Sequence, residues 1–499
     1  MEKIYKRPVT DTGRRRLLKA GAGLIAGLQT HAGLADTQTA ASKGDFDVII
    51  VGAGVAGMYC AKQLIEKGYQ VVVLEATGRH GGRVFSQTLG QTRIEMGAEE
   101  HYLRRNNPVY DAVTGALGKE VYVRTYTGDT LISMDGGKTC WEEKGDCSAD
   151  ADFRNYQKYW AHYGNPAKQK DFSTTMAEEV ERRYGVTADH RAYHLYDSGI
   201  AGSIYGASLD RIGAASLAAQ DWKWTLSESI RVMKTRDLGY SDILDQVWWN
   251  DILGSVLLNR PVAEIDFSSD VVTVRDTLGD TFRAHKVVVT ASIGVLQSES
   301  IAFRPALPES TRHAYRNIGM GRGMKVALRF NEQFWDSKMT YFITEGLSSS
   351  GWVPSSYKEG SNDHIIMCYP MGNNAQVMTD MASSAADGDE RIIKEMLSDL
   401  DLLFDGQAGR TYIDGIVQDW TSAPYIQGSY SYPMLDTYAG SKSLRQRLAE
   451  PVRDRVFFAG EGTSHRNPSC VPGALQEGAR AAKRIDEFLE GVSRPPAVA

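Results

Sequence analysis

Three glycines at G-x-G-x-x-G spacing, Gly52, Gly54 and Gly57, lie in the stretch VIIVGAGVAGMYCAKQLIEKGYQVVVLE, residues 48–75. The spacing suits the pyrophosphate of a dinucleotide. Gly52 permits a tight turn, Gly54 lets phosphates approach the backbone, and Gly57 lets the following helix pack closely on the strand. Val55 and Ala56 open that helix, whose N-terminal N–H groups and dipole attract anions. Glu75 stands where a carboxylate can bind a ribose diol. Gly81 and Gly82 lie between Arg79 and Arg83, a composition suited to a loop running close to phosphates. The other side chain with evident chemistry is Lys325. It lies among small and apolar residues ahead of an alternating strand, and a half-buried lysine is costly unless its nitrogen has a partner.

The elements that must position these groups can be read around them. Residues 48–51 and 71–74 are short apolar runs, expected as buried parallel strands. Between them Met58, Ala61, Leu64 and Ile65 share one helical face, and Gly68 suits the helix C-terminus. Residues 256–258 and 262–265 read as strands, 271–274 and 281–283 as a hairpin around Gly279-Asp280, and 287–292 as another buried strand. Residues 126–238 are polar and helical in texture. Their aromatics, such as Tyr156, Tyr159, Trp160, Trp222 and Trp224, suit a core more readily than a binding wall. Residues 365–369 read as a strand, a helix carries Ile392, Ile393, Met396, Leu397 and Leu400, and another is expected to begin at Gly473.

Composition sets limits. The chain has 499 residues, of which 42% are hydrophobic, enough for a sizeable core in one large or two to three ordinary domains. A formal net charge of -6 argues against nucleic-acid binding by a basic surface. The cysteines, Cys60, Cys140, Cys147, Cys368 and Cys470, show no paired metal spacing, and no metal is expected. Cys140 and Cys147 suit a small disulfide loop and, equally, two free thiols. Gly13-Arg14-Arg15-Arg16-Leu17-Leu18-Lys19 resembles the twin-arginine export motif. The apolar region after it is too short and too weakly apolar to span a membrane. Residues 1–43 are therefore expected to be a twin-arginine signal peptide and linker. The protein is expected in the periplasm or secreted, exported folded by the twin-arginine translocase.

From Glu75 onward the resemblance to a family becomes specific. Glu75-Ala76-x-x-Arg79-x-Gly81-Gly82-Arg83 is similar to the second motif of the flavin amine oxidase family, which includes monoamine and polyamine oxidases and uses FAD. Met96, Gly97 and Ala98 resemble its next element, where the chain passes the flavin. Residues 287–308 resemble the corresponding part of plant polyamine oxidases. The resemblance places the backbone of Val262 at the adenine end of FAD. It makes Lys325 the lysine that holds a water bridging to flavin N5. Trp420 and Tyr430 belong to the family's W-x(n)-G-[ST]-[YF]-S element, and Tyr430 matches one wall of an aromatic cage. Monoamine oxidases carry a flavin-linked cysteine where Ser429 stands, so FAD is expected to be non-covalent. Gly460 and Glu461 would meet the ribityl or phosphate region, and Gly473 and Ala474 open a helix pointing at the flavin pyrimidine. Two departures concern substrate. Cys470 stands where a second cage tyrosine is common. Glu99, Glu100 and His101 replace an expected asparagine- or tryptophan-containing run, and read either as a cation-attracting entrance rim or as a solvated loop.

The resemblance implies an α/β fold: a discontinuous, doubly wound, Rossmann-like FAD-binding domain (44–125, 239–305 and 440–492) with an inserted α+β substrate domain (126–238 and 306–439). The activity it implies is hydride transfer from an amine carbon to flavin N5. The imine then hydrolyses to aldehyde plus amine or ammonia, and O2 reoxidises the flavin to give hydrogen peroxide. The substrate expected is a polyamine or other aliphatic amine. An L-amino acid oxidase would need an arginine for the carboxylate, for which Arg104 or Arg105 is available. A dehydrogenase passing electrons to a periplasmic acceptor keeps the same chemistry, and a non-catalytic FAD-binding protein is the reading from another class. A homodimer is compatible with all of these.

Overall fold

The computed structural model describes residues 45–490, apart from 104–106, 125–127, 144, 166, 226–230, 251, 355–361 and 385. The export motif, Arg104 and Arg105 therefore lie outside the described residues, as do the side chains of Trp222 and Trp224.

The two apolar runs near the start are the parallel strands expected of them. Asp45–Val51 and Val71–Leu74 pair with Ile50 opposite Val73, and the four residues of the second are all buried. Sheet order from one edge is Val256–Leu257, Val71–Leu74, Asp45–Val51, Thr281–Val289, Val272–Asp276, Val262–Asp266 and Ala302–Arg304, with Val456–Phe458 joining Thr281–Val289. The expected separate strands at 281–283 and 287–292 are one continuous strand, Thr281–Val289. Its first half pairs antiparallel with Val272–Asp276, and its second half pairs parallel with Val456–Phe458. Polar residues at His285 and Lys286 interrupt the apolar pattern without ending the strand, because Arg283 to Val289 pairs in unbroken parallel register with Asp45–Val51.

Helix Val55–Glu66 follows the first strand and ends with Gly68 at φ 84°, its N–H donating to Ile65 O at 2.8 Å. The last helix, Val471–Glu490, begins two residues before Gly473 and packs on the first. A Cβ on Gly478 would run into the Ala56 carbonyl, so the glycine sets how closely the two helices approach.

A second sheet, mostly antiparallel, runs Tyr412–Asp419, Met324–Phe330, His364–Cys368, Ser350–Trp352, Met339–Ile343, Asp129–Met134 and Lys138–Trp141. Cys140 and Cys147 form a disulfide beside it, with Cα atoms 5.1 Å apart. Tyr156 and Tyr159 are core residues, whereas Trp160 is 46% exposed. A small third sheet was not legible in the sequence. Arg231–Thr235 pairs antiparallel with both His101–Leu103 and Tyr122–Arg124, with His101 opposite Met233. It draws the end of the helical insertion back beside residues 99–103.

Candidate active site

The glycine turn is built for a ligand phosphate. Gly52 has φ 101°, and a Cβ on Gly57 would collide with the Gly52 carbonyl. Around Gly54 there is open space, with no atom within 4 Å of where its Cβ would lie. The helix beginning at Val55 has no side-chain cap on Gly54, so its N-terminal N–H groups face that space unclaimed by a capping side chain. Glu75 is buried and oriented: its carboxylate accepts from Ala53 N at 2.8 Å, Thr77 N at 2.9 Å and Thr77 Oγ1 at 2.7 Å. Arg260 N donates to Glu75 O at 2.7 Å, which brings the approach to Val262 alongside the expected ribose position.

The arginine–glycine loop is tied in from several sides. Gly81 N donates to Ala53 O at 2.8 Å, and Arg79 lies 4.2 Å from the Phe85 ring centroid. Arg83 donates to Ser429 O and to Glu461 Oε1, both at 2.8 Å. Ala98 N reaches back to Arg83 O at 2.9 Å, and Trp420 donates its indole N–H to Met96 O at 2.8 Å. A Cβ on Gly97 would strike the Arg83 carbonyl. Trp420 thus holds the chain at Met96 through its side chain, and its own ring is buried.

Glu461 is the anchor of this region. Its oxygens accept from Arg83, from Ser431 N and Oγ, and from Ser469 N. These donors reach both oxygens. Burial acts to raise its pKa, but the charges of Arg83 and Arg445 outweigh it and the carboxyl sits below its ordinary value. Arg445 is fully buried and donates to Ser431 Oγ at 2.6 Å and Gly462 O at 3.1 Å. No motif in the sequence signalled it. A Cβ on Gly473 would collide with the Asn467 carbonyl, and Ala474 N donates to Cys470 O at 3.1 Å, so the start of the last helix is fixed against the Glu461 loop.

Lys325 is 5% exposed, and its Nζ donates to Glu95 O and to Glu99 Oε2, each at 3.0 Å. Glu99 is itself buried, and its other oxygen meets Lys234 Nζ at 3.1 Å. Both readings of Glu99 from the sequence, entrance rim and solvated loop, are corrected here: two buried ammonium groups hold it inside. His101 is also buried, with its ring 3.8 Å from that of Tyr240 and its Nδ1 3.1 Å from Tyr122 Oη. Pairing with Arg231–Thr235 turns it inward. Glu100 alone of the three is half-buried, near the tyrosine wall.

That wall contains Tyr430, whose hydroxyl donates to Ser203 O at 3.4 Å and lies 3.3 Å from Tyr369 Oη. Burial pushes the Tyr369 hydroxyl pKa up, the Tyr430 hydrogen bond offsets part of this, and the Glu100 charge adds to it. Trp352 continues the wall, its ring centroid 5.3 Å from that of Tyr369. Cys470 is half-buried, with Sγ 3.3 Å from Asn467 O. The sequence signalled Tyr430; it did not signal Tyr369, Trp352 or Lys234, whose neighbours form no local pattern.

Behind the wall, Ser203 follows a π-helical turn, Asp197–Gly202, a distortion frequent at functional sites. Asp197 accepts from Leu209 N at 2.8 Å. Burial raises its pKa from 3.8 to about 6, with the Leu209 bond opposing and Asp210 adding. An acid with a raised folded-state pKa binds more protons folded than unfolded, so stability falls as pH rises through that window and the cost is complete above pH 6. Asp197→Asn keeps an acceptor for Leu209 and removes the cost. It is expected to raise the melting temperature at pH 7.5, by the equivalent of up to about 3 kcal/mol, and to change it little near pH 4.

The open phosphate cradle at Gly54 and the oriented Glu75 fit a dinucleotide, and the buried Ser429 Oγ, which has no hydrogen-bond partner among the described residues, adds a polar atom for a ligand beside the Arg83 loop. Together with the two-sheet architecture they define a dinucleotide-binding α/β protein. Residues 55–486 match the model of the flavin containing amine oxidoreductases, and the chain belongs to that family, whose cofactor is FAD. It is 28% identical to human (Homo sapiens) lysine-specific histone demethylase 2 over 457 residues, covering 88% of this chain and 53% of that protein. The chain thus spans about half the length of that relative. It is 26% identical to probable polyamine oxidase 4 of Arabidopsis thaliana, covering 89% of this chain and 87% of that one. Among solved structures, cyclohexylamine oxidase from Brevibacterium oxydans IH-35A shares the fold, with a TM-score of 0.72 and 21% identity over 90% of this chain and all of that one. The fold is therefore the one expected, an FAD-binding α/β domain joined to a substrate domain.

Proposed function

We propose that the protein oxidises a small aliphatic amine, with a polyamine or diamine as the preferred class. The observation that carries this reading is the pocket wall itself: Tyr430 and Tyr369 paired at 3.3 Å, with half-buried Glu100 close by and Lys325 buried behind. Bound FAD supplies a two-electron acceptor. The chain's residues do the rest. An ammonium has no lone pair to assist oxidation, so the substrate must shed a proton first, and the aromatic wall favours the neutral amine at the reacting carbon. Glu100 offers a carboxylate to a second, still protonated nitrogen. Two electrons and two protons leave the C–N unit, water adds to the imine, and aldehyde and amine or ammonia are released. Lys325 holds a water at the site through an N–H not used by Glu95 or Glu99. O2 taking up the two electrons and two protons gives hydrogen peroxide.

Anaerobic mixing with spermidine, putrescine, cyclohexylamine, an aromatic monoamine and several L-amino acids tests this through the flavin band near ~450 nm. Bleaching by the di- and polyamines is expected, and bleaching by amino acids alone would replace this reading with an L-amino acid oxidase. Peroxide release in air separates O2 from a periplasmic electron carrier as acceptor. Acid precipitation is expected to leave all FAD in the supernatant, because a serine hydroxyl at 429 does not form the thioether that a cysteine forms; flavin in the pellet would show a covalent link elsewhere.

We propose further that the protein works in the periplasm or outside the cell after twin-arginine export. Arg14 and Arg15 support this, as does the Cys140–Cys147 disulfide, a bond that persists in oxidising compartments. Replacing both arginines with lysine is expected to leave precursor in the cytoplasm, and unchanged export would remove the assignment.

A further inference from the structure

Glu99 is placed to do something other than meet substrate. Its Oε2 lies 3.0 Å from Lys325 Nζ and its Oε1 3.1 Å from Lys234 Nζ. Trp352 donates its indole N–H to Oε1 at 3.2 Å, while its ring lies 4.7 Å from Lys325 Nζ and 4.8 Å from Lys234 Nζ, within cation–π range. All three charged side chains are more than nine-tenths buried. One carboxylate thus bridges two ammonium groups, in a setting where water screens charge little.

We propose that Glu99 and Lys234 are positioning residues for Lys325, an inference that rests on the site role given to Lys325 above. An ammonium nitrogen is tetrahedral. With Cε as one corner, and Glu95 O and Glu99 Oε2 each taking an N–H at 3.0 Å, the direction of the third N–H is settled. Glu99 thus aims the hydrogen bond that Lys325 offers into the site. Lys234 occupies the other oxygen and adds a buried positive charge there, which favours electron density arriving nearby. It comes from the strand Arg231–Thr235, whose pairing with Tyr122–Arg124 sets Lys234 opposite Val123. Both Glu99 oxygens are committed, so the residue orients the lysine and does not bind the substrate's cation.

The test compares Glu99→Gln, Lys234→Met, Lys325→Met and the double variant Lys234→Met/Lys325→Met, all as FAD-loaded protein. The readouts are the rates of the two half-reactions with a bleaching amine, the amine concentration for half-saturation, and the midpoint potential of the bound flavin. Lys234→Met lacks the risk of stranding two cations that accompanies Glu99→Gln, so it stands if the latter does not fold. Expected are a loss of about tenfold or more in the half-reaction that Lys325→Met slows, half-saturation within about threefold of the parent, and a double variant no slower than Lys325→Met alone. The midpoint potential should fall in Lys234→Met and rise in Glu99→Gln. Half-saturation rising with rates intact would make Glu99 a substrate contact and overturn the proposal. Unchanged rates and potential with only a lowered melting temperature would make the cluster merely structural, and would also overturn it. If Lys325→Met is itself silent, the site role of Lys325 fails and this proposal with it; if Lys325→Met is slow but the other two single variants are not, this proposal alone fails.

Discussion

Lys325→Met is expected to slow flavin reduction, flavin reoxidation or both on the order of 10²-fold, the range for a positioned proton-handling group, while FAD stays bound. The cradle that holds the dinucleotide is built from Gly52 to Gly57, Glu75 and the Arg79–Arg83 loop, none of which is hydrogen-bonded to the lysine side chain; its partners are Glu95 O and Glu99. Methionine matches the length and apolar stem of lysine, so it fills the same space. It removes the donors and leaves Glu99 with Lys234 and Trp352, a carboxylate still partnered. Stopped-flow absorbance with a bleaching amine and then with O2 reads each half-reaction separately. Both at parent rates would end the role assigned to Lys325.

The second large effect is expected at Arg445. Replacing it with methionine leaves Glu461 buried with one cationic partner, Arg83, in place of two nearby cations. Losing the two buried charge-assisted hydrogen bonds to Ser431 and Gly462 is expected to cost on the order of 2–4 kcal/mol. It also loosens Ser431, Gly462 and the adjoining Gly460–Glu461 turn. Chemical denaturation should show the stability loss, and FAD should dissociate more readily on dilution. The pH dependence has a defined sign. A carboxyl whose folded pKa is lowered stabilises the fold above its unfolded value, 4.5, and that contribution is lost as pH falls through the folded value. The gap between parent and variant should therefore be widest at neutral pH and close in acid. Equal stability at pH 7 would show that Arg83 alone suffices.

These effects trace to different levels of organisation. Continuous stretches were legible because their function is local. In residues 48–75 the strand, turn, helix and answering carboxylate are contiguous, so spacing alone specified which glycine turns, which opens to a ligand and which packs. The loop from Arg79 to Arg83 was legible in the same way, and Tyr430 through its resemblance to the family's motif. Local pattern failed at Thr281–Val289, where polar residues break the apolar run yet one neighbouring strand pairs across the break, from Arg283 to Val289. It failed again at the start of the last helix, which begins at Val471 ahead of the glycine expected to open it.

The sequence by itself determined the glycine turn of a dinucleotide-binding strand–helix unit and the family, since both rest on residue types at fixed short spacing, and the family resemblance singled out Lys325 and Tyr430 as candidates. Only the tertiary structure decided what surrounds them. Lys325 and Glu99 stand 226 positions apart, and Lys234 reaches them through a strand pairing that no neighbouring residue announces. Arg445 reaches Glu461 through Ser431, and Tyr369 meets Tyr430, likewise from separate parts of the chain. Such contacts depend on strand register and on how two sheets are brought together, and a buried charge shows its partner only once both chains of contacts have folded around it.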